Sequence, residues 1–452
     1  MNKQNIFETK SISQLIILFS FPTICSLVLE SLTSMVDTAF AGHLGTLSDK
    51  ALTAMGIISP VLLLLIAAQL IFGVSTSIVI SKRLGEKDEE KINHTFKVGF
   101  YACFICSFLI SLLIYLFESN MLYLLGAEGE VFDLAKQYLD IAVIFNIFSA
   151  VGYMLLNIIR AFGYPKMEII VGVSATVINI IFNVLFTFVF KLGIKGIALS
   201  TLVSEIFYFV FSAIFLIKKK LWFKNSYVDF GESKEILISI VKIGFVQFLM
   251  QSLNSVSALI INKVLILYGS VSYVGAWSIC SNMNMVILLP LIGLTQGVQS
   301  IVAYFHSSNN KDKERKVKNK VMYYSLIYSV GISLMIFVFS KLVLRIFTSD
   351  LKLLELAIPI MKIVVVGFPF LGILYAVITF MQVSGKEDDA TKMELIRQIA
   401  LSIPLVIIIP MIFSRYNIFN ISPQLSIFLS VPLSTILLLI IYFGKIKKIL
   451  EE

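Results

Sequence analysis

Along most of this chain, runs of twenty or more apolar residues alternate with short polar stretches. The breaks carry charge, glycine or proline. Reading each run between its breaks predicts twelve spans: Ser13 to Phe40, Ala51 to Ile80, Phe96 to Phe117, Phe132 to Ala161, Lys166 to Phe190 and Gly196 to Ile217. After the polar stretch "KKKLWFKNSYVDFGESKE" come Ile236 to Tyr268, Tyr273 to Phe305, Val321 to Ile346, Leu354 to Val383, Met393 to Phe413 and Pro423 to Phe443. Runs of that length match the thickness of a bilayer core, where every backbone polar group must be bonded within its own element. The chain is therefore expected to be an all-α, polytopic membrane protein.

Composition agrees: 58% of the 452 residues are hydrophobic, 14% are charged, and mean hydropathy is +0.91. A soluble globular domain does not have that balance. The polar start "MNKQNIFETK" leads into a run too long for a signal-peptide core, so the first span is expected to remain in place. Cys25, Cys103, Cys106 and Cys280 all lie in apolar runs, which supports neither a disulfide framework nor a metal site. The net charge of +9 sits mostly in short connections such as "SKRLGEKDEEK" and "KDKERKVKNK", where it sets topology rather than recognising nucleic acid. Roughly 27 of the 37 Lys and Arg fall on the side that holds both termini. Both termini are accordingly expected in the cytoplasm, with the protein in the cell membrane.

The second half repeats the first at an offset of about 222 to 224 residues. "GHLGTLSDKALTAMGI" pairs with "LILYGSVSYVGAWSI", Gly45 with Gly269. "GVSTSIVISKRLGEKDEEK" pairs with "GVQSIVAYFHSSNNKDKER", Gly73 with Gly297 and Lys87-Asp88 with Lys311-Asp312. "RAFGYPK" pairs with "QVSGKED", Gly163 with Gly385. An even number of spans per repeat gives both copies one orientation, a transporter-like plan. The expected organisation is a first lobe over 1–220, a connection over 221–235 and a second lobe over 236–452.

Against this apolar background, "SMVDTAFAGHLG" places Asp37 inside a span. An Asp near mid-membrane costs about 2.5 to 3.5 kcal/mol, so it needs a proton, a partner or water. Counting about 1.5 Å per residue from the span ends brings four other polar groups to the same depth: Tyr138, Asn179, Asn183 and Thr201. Asn179 and Asn183, at i and i+4, share one helix face. One carboxylate, two amides and hydroxyls can hold a proton or a Na⁺ ion; as a metal set the ligands would be Asp37, Asn179, Asn183 and Thr201. The bland reading is interhelical hydrogen bonding as packing. Glu30, two turns before Asp37, and Glu205, one turn after Thr201, either extend a proton relay or are lone carboxyls kept neutral by burial.

Other polar residues have simpler readings. Lys263 and Lys362 are placed to snorkel, and Glu394 with Arg397 forms a local ion pair. His43 is interfacial, while His94 and His306 lie in or beside connections without metal-ligand spacing. Pro22, Pro60, Pro290 and Pro369 mark candidate kinks. No HExxH, GxSxG or paired-aspartate motif argues for an intramembrane enzyme, and no filter-like segment argues for a channel.

Several of these segments resemble the multidrug and toxic compound extrusion (MATE) transporters. "FSFPTICSLVLESLTSMVDTAFAGHLGTLSDKALTAMGI" is similar to that family's first span, and "VDTAFAGHLG" most resembles its DinF-like branch. "GVSTSIVISKRLGEKD", "NIIRAFGYPK", "NIIFNVLF" and "LIGLTQGVQSIVAYF" are similar to other family segments. The resemblance implies a monomeric antiporter in the lipid bilayer, with no cofactor, that exchanges H⁺ or Na⁺ for small amphipathic, often cationic compounds by a rocker-switch motion of two lobes. It places the first-lobe cation site on Asp37, Tyr138, Asn179, Asn183 and Thr201. Asn183 stands where the family commonly has an aspartate, which favours H⁺. The seventh span offers Gln247, Gln251 and Asn254 in place of the acids of other branches. The alternative within the same superfamily is a flippase for lipid-linked oligosaccharides, which would need buried basic residues for pyrophosphate.

Overall fold

The structure is a computed structural model that describes residues 6–224, 227–268, 271–345, 351–416 and 422–451. Gly269 and Ile346 of the sequence reading lie outside the described residues. Among the described residues there is no strand. The first six long helices are α1 (Ile12–Ala41), α2 (Ser48–Glu86), α3 (Glu89–Leu124), α4 (Gly129–Ala161), α5 (Lys166–Asn183) and α6 (Ile194–Lys218). They are followed by α7 (Phe230–Tyr268), α8 (Val271–Ser307), α9 (Lys311–Leu344) and α10, which is broken into Leu351–Val365 and Phe368–Val383. Next come α11, made of Glu387–Leu395, a π-helical stretch Ile396–Ser402 and Ile403–Tyr416, then α12, which ends in Ser430–Ile441, and the short α13 (Phe443–Glu451).

Eleven of the described helices are long and apolar enough to cross a membrane, and taking the two pieces of the broken α10 as one span gives twelve. The two pieces of α10 meet at 47°, with Pro369 in the first turn of the second piece. That is where a proline costs no hydrogen bond, so it restarts the helix after the break rather than kinking a continuous one. Pro22, Pro60 and Pro290 sit inside continuous helices.

Chain contacts divide the molecule into two units, residues 17–248 with 1–10, and residues 249–452 with 11–16. In the first unit α4 is the central helix, packed on α2, α3 and α6. Its buried residues include Leu139, Ala142, Met154, Leu155 and Ile158, which form the core. α3 turns Phe104, Ile105, Phe108, Leu109 and Leu113 outward. An apolar surface of that kind is what lipid requires. In the second unit α8 has the central role, against α9 and both pieces of α10.

Turn geometry sets the repeat register. α2 ends on Lys87 with φ 60°, and the Asp88 carboxylate then accepts the Lys91 N–H at 3.0 Å. α8 is followed by Asn309 with φ 55°, and the Asn310 side chain accepts the Lys313 N–H at 3.2 Å. Gly163 and Gly385 both have positive φ, 87° and 75°. Structurally, Lys87-Asp88 therefore matches Asn309-Asn310 rather than Lys311-Asp312. The Lys-Asp letters repeat two residues out of register, because a left-handed cap followed by an N-cap side chain, and not the charges, defines the turn.

Candidate cation site and cavity in the first half

α1 carries Asp37 close to its end, where the residue is 5% exposed. Its Oδ1 accepts Asn183 Nδ2 at 2.8 Å and its Oδ2 accepts Thr201 Oγ at 2.9 Å. Asn183 also donates to Asn179 Oδ1 at 3.0 Å, and Asn179 donates to Thr201 at 3.3 Å. Tyr138, buried on α4, lies within electrostatic reach of Asp37 and within hydrogen-bonding reach of Thr201. The structure thus brings all five residues into one cluster supplied by α1, α4, α5 and α6.

Local sequence explains why these side chains meet. At Val184, directly after Asn183, α5 widens into a π-helical stretch, Val184–Val189. Such turns recur at functional sites. Gly196, in the first turn of α6, lies so close to this stretch that a Cβ would stand 2.9 Å from the Phe186 carbonyl carbon. Only glycine allows that approach, and it sets Thr201, just over one turn further on, beside Asn179. Within the cluster, Asn183 Oδ1 has no hydrogen-bond partner among the described residues. Because the amide nitrogen is spent on Asp37 and Asn179, this oxygen points away from the carboxylate and meets it only if the amide turns over.

Asp37 also lines one end of a cavity of about 240 Å³ that lies wholly within the first half. Glu30 and Glu205 line the same cavity, together with Gln69, Asn146, Ser149, Tyr153 and Tyr208. Glu205, Glu30 and Asp37 are close enough to interact electrostatically. Among the described residues no Lys, Arg or His lines this space. Gln69 donates to Asn146 at 3.1 Å, Asn146 donates to Ser111 at 2.9 Å, and Ser149 reaches Gln69 at 3.5 Å. These cavity amides, with Tyr153 and Tyr208, escape sequence reasoning because isolated Gln, Asn and Tyr in spans normally serve packing.

Sequence reasoning also missed Arg160. Only 1% exposed at the end of α4, it donates to Glu168 at 2.8 Å, to Thr23 at 2.9 Å and to Asn157 at 2.5 Å. Thr23 in turn donates to Glu168 at 2.8 Å. The network ties α1, α4 and α5 together at the end of the half that holds the α4–α5 turn. Its basic charge is spent on Glu168 and is not offered to the cavity.

In the second half, Gln398 accepts Ser257 at 2.8 Å and donates to Asn254 at 2.6 Å. The expected Glu394–Arg397 pair forms through two contacts, at 2.5 and 3.2 Å. Arg397 and Gln398 both sit on the π-helical stretch of α11. His43 is exposed, and among the described residues its ring bonds to the Ala39 carbonyl of the preceding helix at 2.7 Å, as an interfacial residue would. Lys362 extends over the Phe337 ring at 5.3 Å.

Six spans in each half and a carboxylate cluster buried in the first define a transporter-type membrane protein. The MatE family model matches residues 22–185 and 244–408, two segments that start 222 residues apart, and the chain belongs to that family. It is a multi-pass transporter rather than an enzyme. Multidrug export protein MepA of Staphylococcus saprophyticus is 26% identical over 416 residues, which are 92% of this chain and 90% of MepA. Among solved structures, a MOP superfamily transporter of Pyrococcus furiosus shares the fold at a TM-score of 0.88, with 19% identity over 99% of each chain. A mutant of the Vibrio cholerae MATE transporter VcmN matches at 0.87, with 21% identity over 97% of this chain and 96% of that one.

Proposed function

We propose that this protein exports small amphipathic, cationic organic compounds across the cell membrane in exchange for protons, as its MepA relatives are named multidrug export proteins. One observation carries the reading: a buried, fully hydrogen-bonded Asp37 at the end of a cavity with three carboxylates and, among its described lining residues, no base. Such a cavity attracts cations and rejects anions. It accordingly argues against the flippase, whose pyrophosphate cargo would need unpaired basic groups.

Protons fit the cluster better than Na⁺. Both Asp37 oxygens face N–H or O–H donors, and one carboxylate is the sole acid among the five residues. A Na⁺ ion would draw on Asp37, Asn179, Asn183 and Thr201 only after the Asn183 amide turned its oxygen inward. In the proposed cycle a proton entering from outside neutralises Asp37, and its departure to the cytoplasm restores the charge. The two lobes rock between the two accessible states, with both termini in the cytoplasm and the monomer as the working unit. Glu30 and Glu205 lie between Asp37 and the Arg160 end and can serve as relay groups.

The test is efflux of ethidium from proteoliposomes with ΔpH and ΔNa⁺ imposed separately. Export driven by ΔpH alone is expected. Export driven by ΔNa⁺ alone would reverse the choice of ion, and a response to neither gradient would overturn the antiporter.

A further inference from the structure

The three cavity carboxylates differ in what they can accept. Asp37 is 5% exposed with both oxygens already accepting hydrogen bonds, which suits a proton or a small ion better than an organic group. Glu30 is the opposite: accessible, facing the cavity, and accepting no hydrogen bond among the described residues. Seven residues, two helical turns, separate it from Asp37 on the same helix, roughly 10 Å. Both positions can therefore be filled at once.

The surroundings of Glu30 are aromatic. Tyr153 and Tyr208 line the same cavity, and both lie within electrostatic reach of its carboxylate. Two glycines hold these rings in place. A Cβ on Gly73 would stand 2.4 Å from the Tyr153 ring, and one on Gly152 would stand 2.9 Å from the Tyr208 ring. Glu205 supplies a second carboxyl group and is steadied by Ser149, itself joined to Gln69. A bare Na⁺ ion prefers a shell of oxygens. A large, weakly hydrated organic cation gains instead from ring faces beside a carboxylate.

We propose that the cavity has two stations with different cargo. Asp37 takes the coupling cation, and Glu30, with Glu205, Tyr153 and Tyr208, binds the ammonium-type positive group of the exported molecule. This rests on the export reading above and adds to it the residues that select for charge.

Equilibrium binding to purified protein in detergent tests the proposal without transport, using cationic ethidium and the uncharged probe N-phenyl-1-naphthylamine. Glu30→Gln is expected to weaken ethidium by about tenfold or more, since a charge pair held away from bulk water is lost, and to leave the neutral probe unchanged. Glu30→Asp should bind ethidium with intermediate affinity, which separates charge from misfolding. Asp37→Asn should still bind it. Wild-type ethidium affinity in Glu30→Gln, equal weakening of both probes, or loss of ethidium binding in Asp37→Asn would each overturn the two-station proposal and leave the export reading in place. A wild-type protein that binds neither probe would overturn both.

Discussion

Arg160 gives the sharpest test of how the first half holds together. Replacing it with alanine removes donors to Glu168, Thr23 and Asn157 at once, and leaves the Glu168 carboxylate, only 3% exposed, with Thr23 as its one neutral partner among the described residues. Breaking one side of a buried ion pair costs about 3–5 kcal/mol. For a unit of this size that corresponds to a fall of about 10 °C in unfolding midpoint. The chain carries its own reporters, since Cys103 in the first unit and Cys280 in the second are buried free thiols. Labelling of each by a thiol-reactive fluorophore during heating, in variants that keep one cysteine at a time, reads the two halves separately. Arg160→Ala should bring Cys103 labelling to markedly lower temperature and shift Cys280 less. The double change Arg160→Met with Glu168→Leu should recover part of the loss, because it leaves no unpaired charge. A Cys103 midpoint within about 2 °C of wild type for Arg160→Ala, or a double variant as poor as the sum of the singles, would refute the reasoning.

Three further outcomes follow from individual positions. Gly152→Ala puts a methyl group 3.2 Å from the Phe209 backbone as well as against Tyr208, so α4 and α6 must part. A loss of about 1–3 kcal/mol by the Cys103 assay, together with weaker ethidium binding, is expected. Gly244→Ala meets the Ile71 carbonyl oxygen at 2.1 Å, a backbone clash that no rotamer relieves. It should reduce the yield of folded, monodisperse protein in gel filtration more than Gly152→Ala does. Asp88 caps α3, and the Lys91 N–H on its carboxylate holds it below the usual carboxylate range. Asp88→Ala should cost about 1 kcal/mol and Asp88→Asn less. Because the folded-state value is depressed, the carboxylate contributes fully at neutral pH, and its contribution is lost as pH falls through that value. Hydrogen exchange in the first turn of α3 should show this loss in wild type and not in Asp88→Asn.

Asp37 and its partners were legible in the sequence because a carboxylate in an apolar run is costly, and because helical rise converts residue number into depth. Asn179 and Asn183 added a shared face. The Arg160 network was not legible, since an arginine at a span end reads as snorkelling and its burial depends on α1 and α5 folding over it. Tyr153 and Tyr208 were hidden for a related reason. Nothing in their own segments distinguishes them from lipid-facing or packing tyrosines, and the glycines that seat them, Gly73 and Gly152, act across helices. The repeat was visible, but its register at Lys87-Asp88 was two residues off, because backbone cap geometry defines the turn and letters only approximate it. The break in α10 likewise needed coordinates, since Pro369 alone does not distinguish a kink from a restart.

The central claim is that Asp37 couples export to proton movement. It is tested most directly by proton flux in sealed proteoliposomes loaded with ethidium and monitored with an entrapped pH-sensitive dye. Wild-type protein is predicted to move protons against the outward flow of ethidium in the absence of any imposed pH gradient, and Asp37→Asn to move none while still binding ethidium. Proton flux in Asp37→Asn equal to that of wild type would contradict the account.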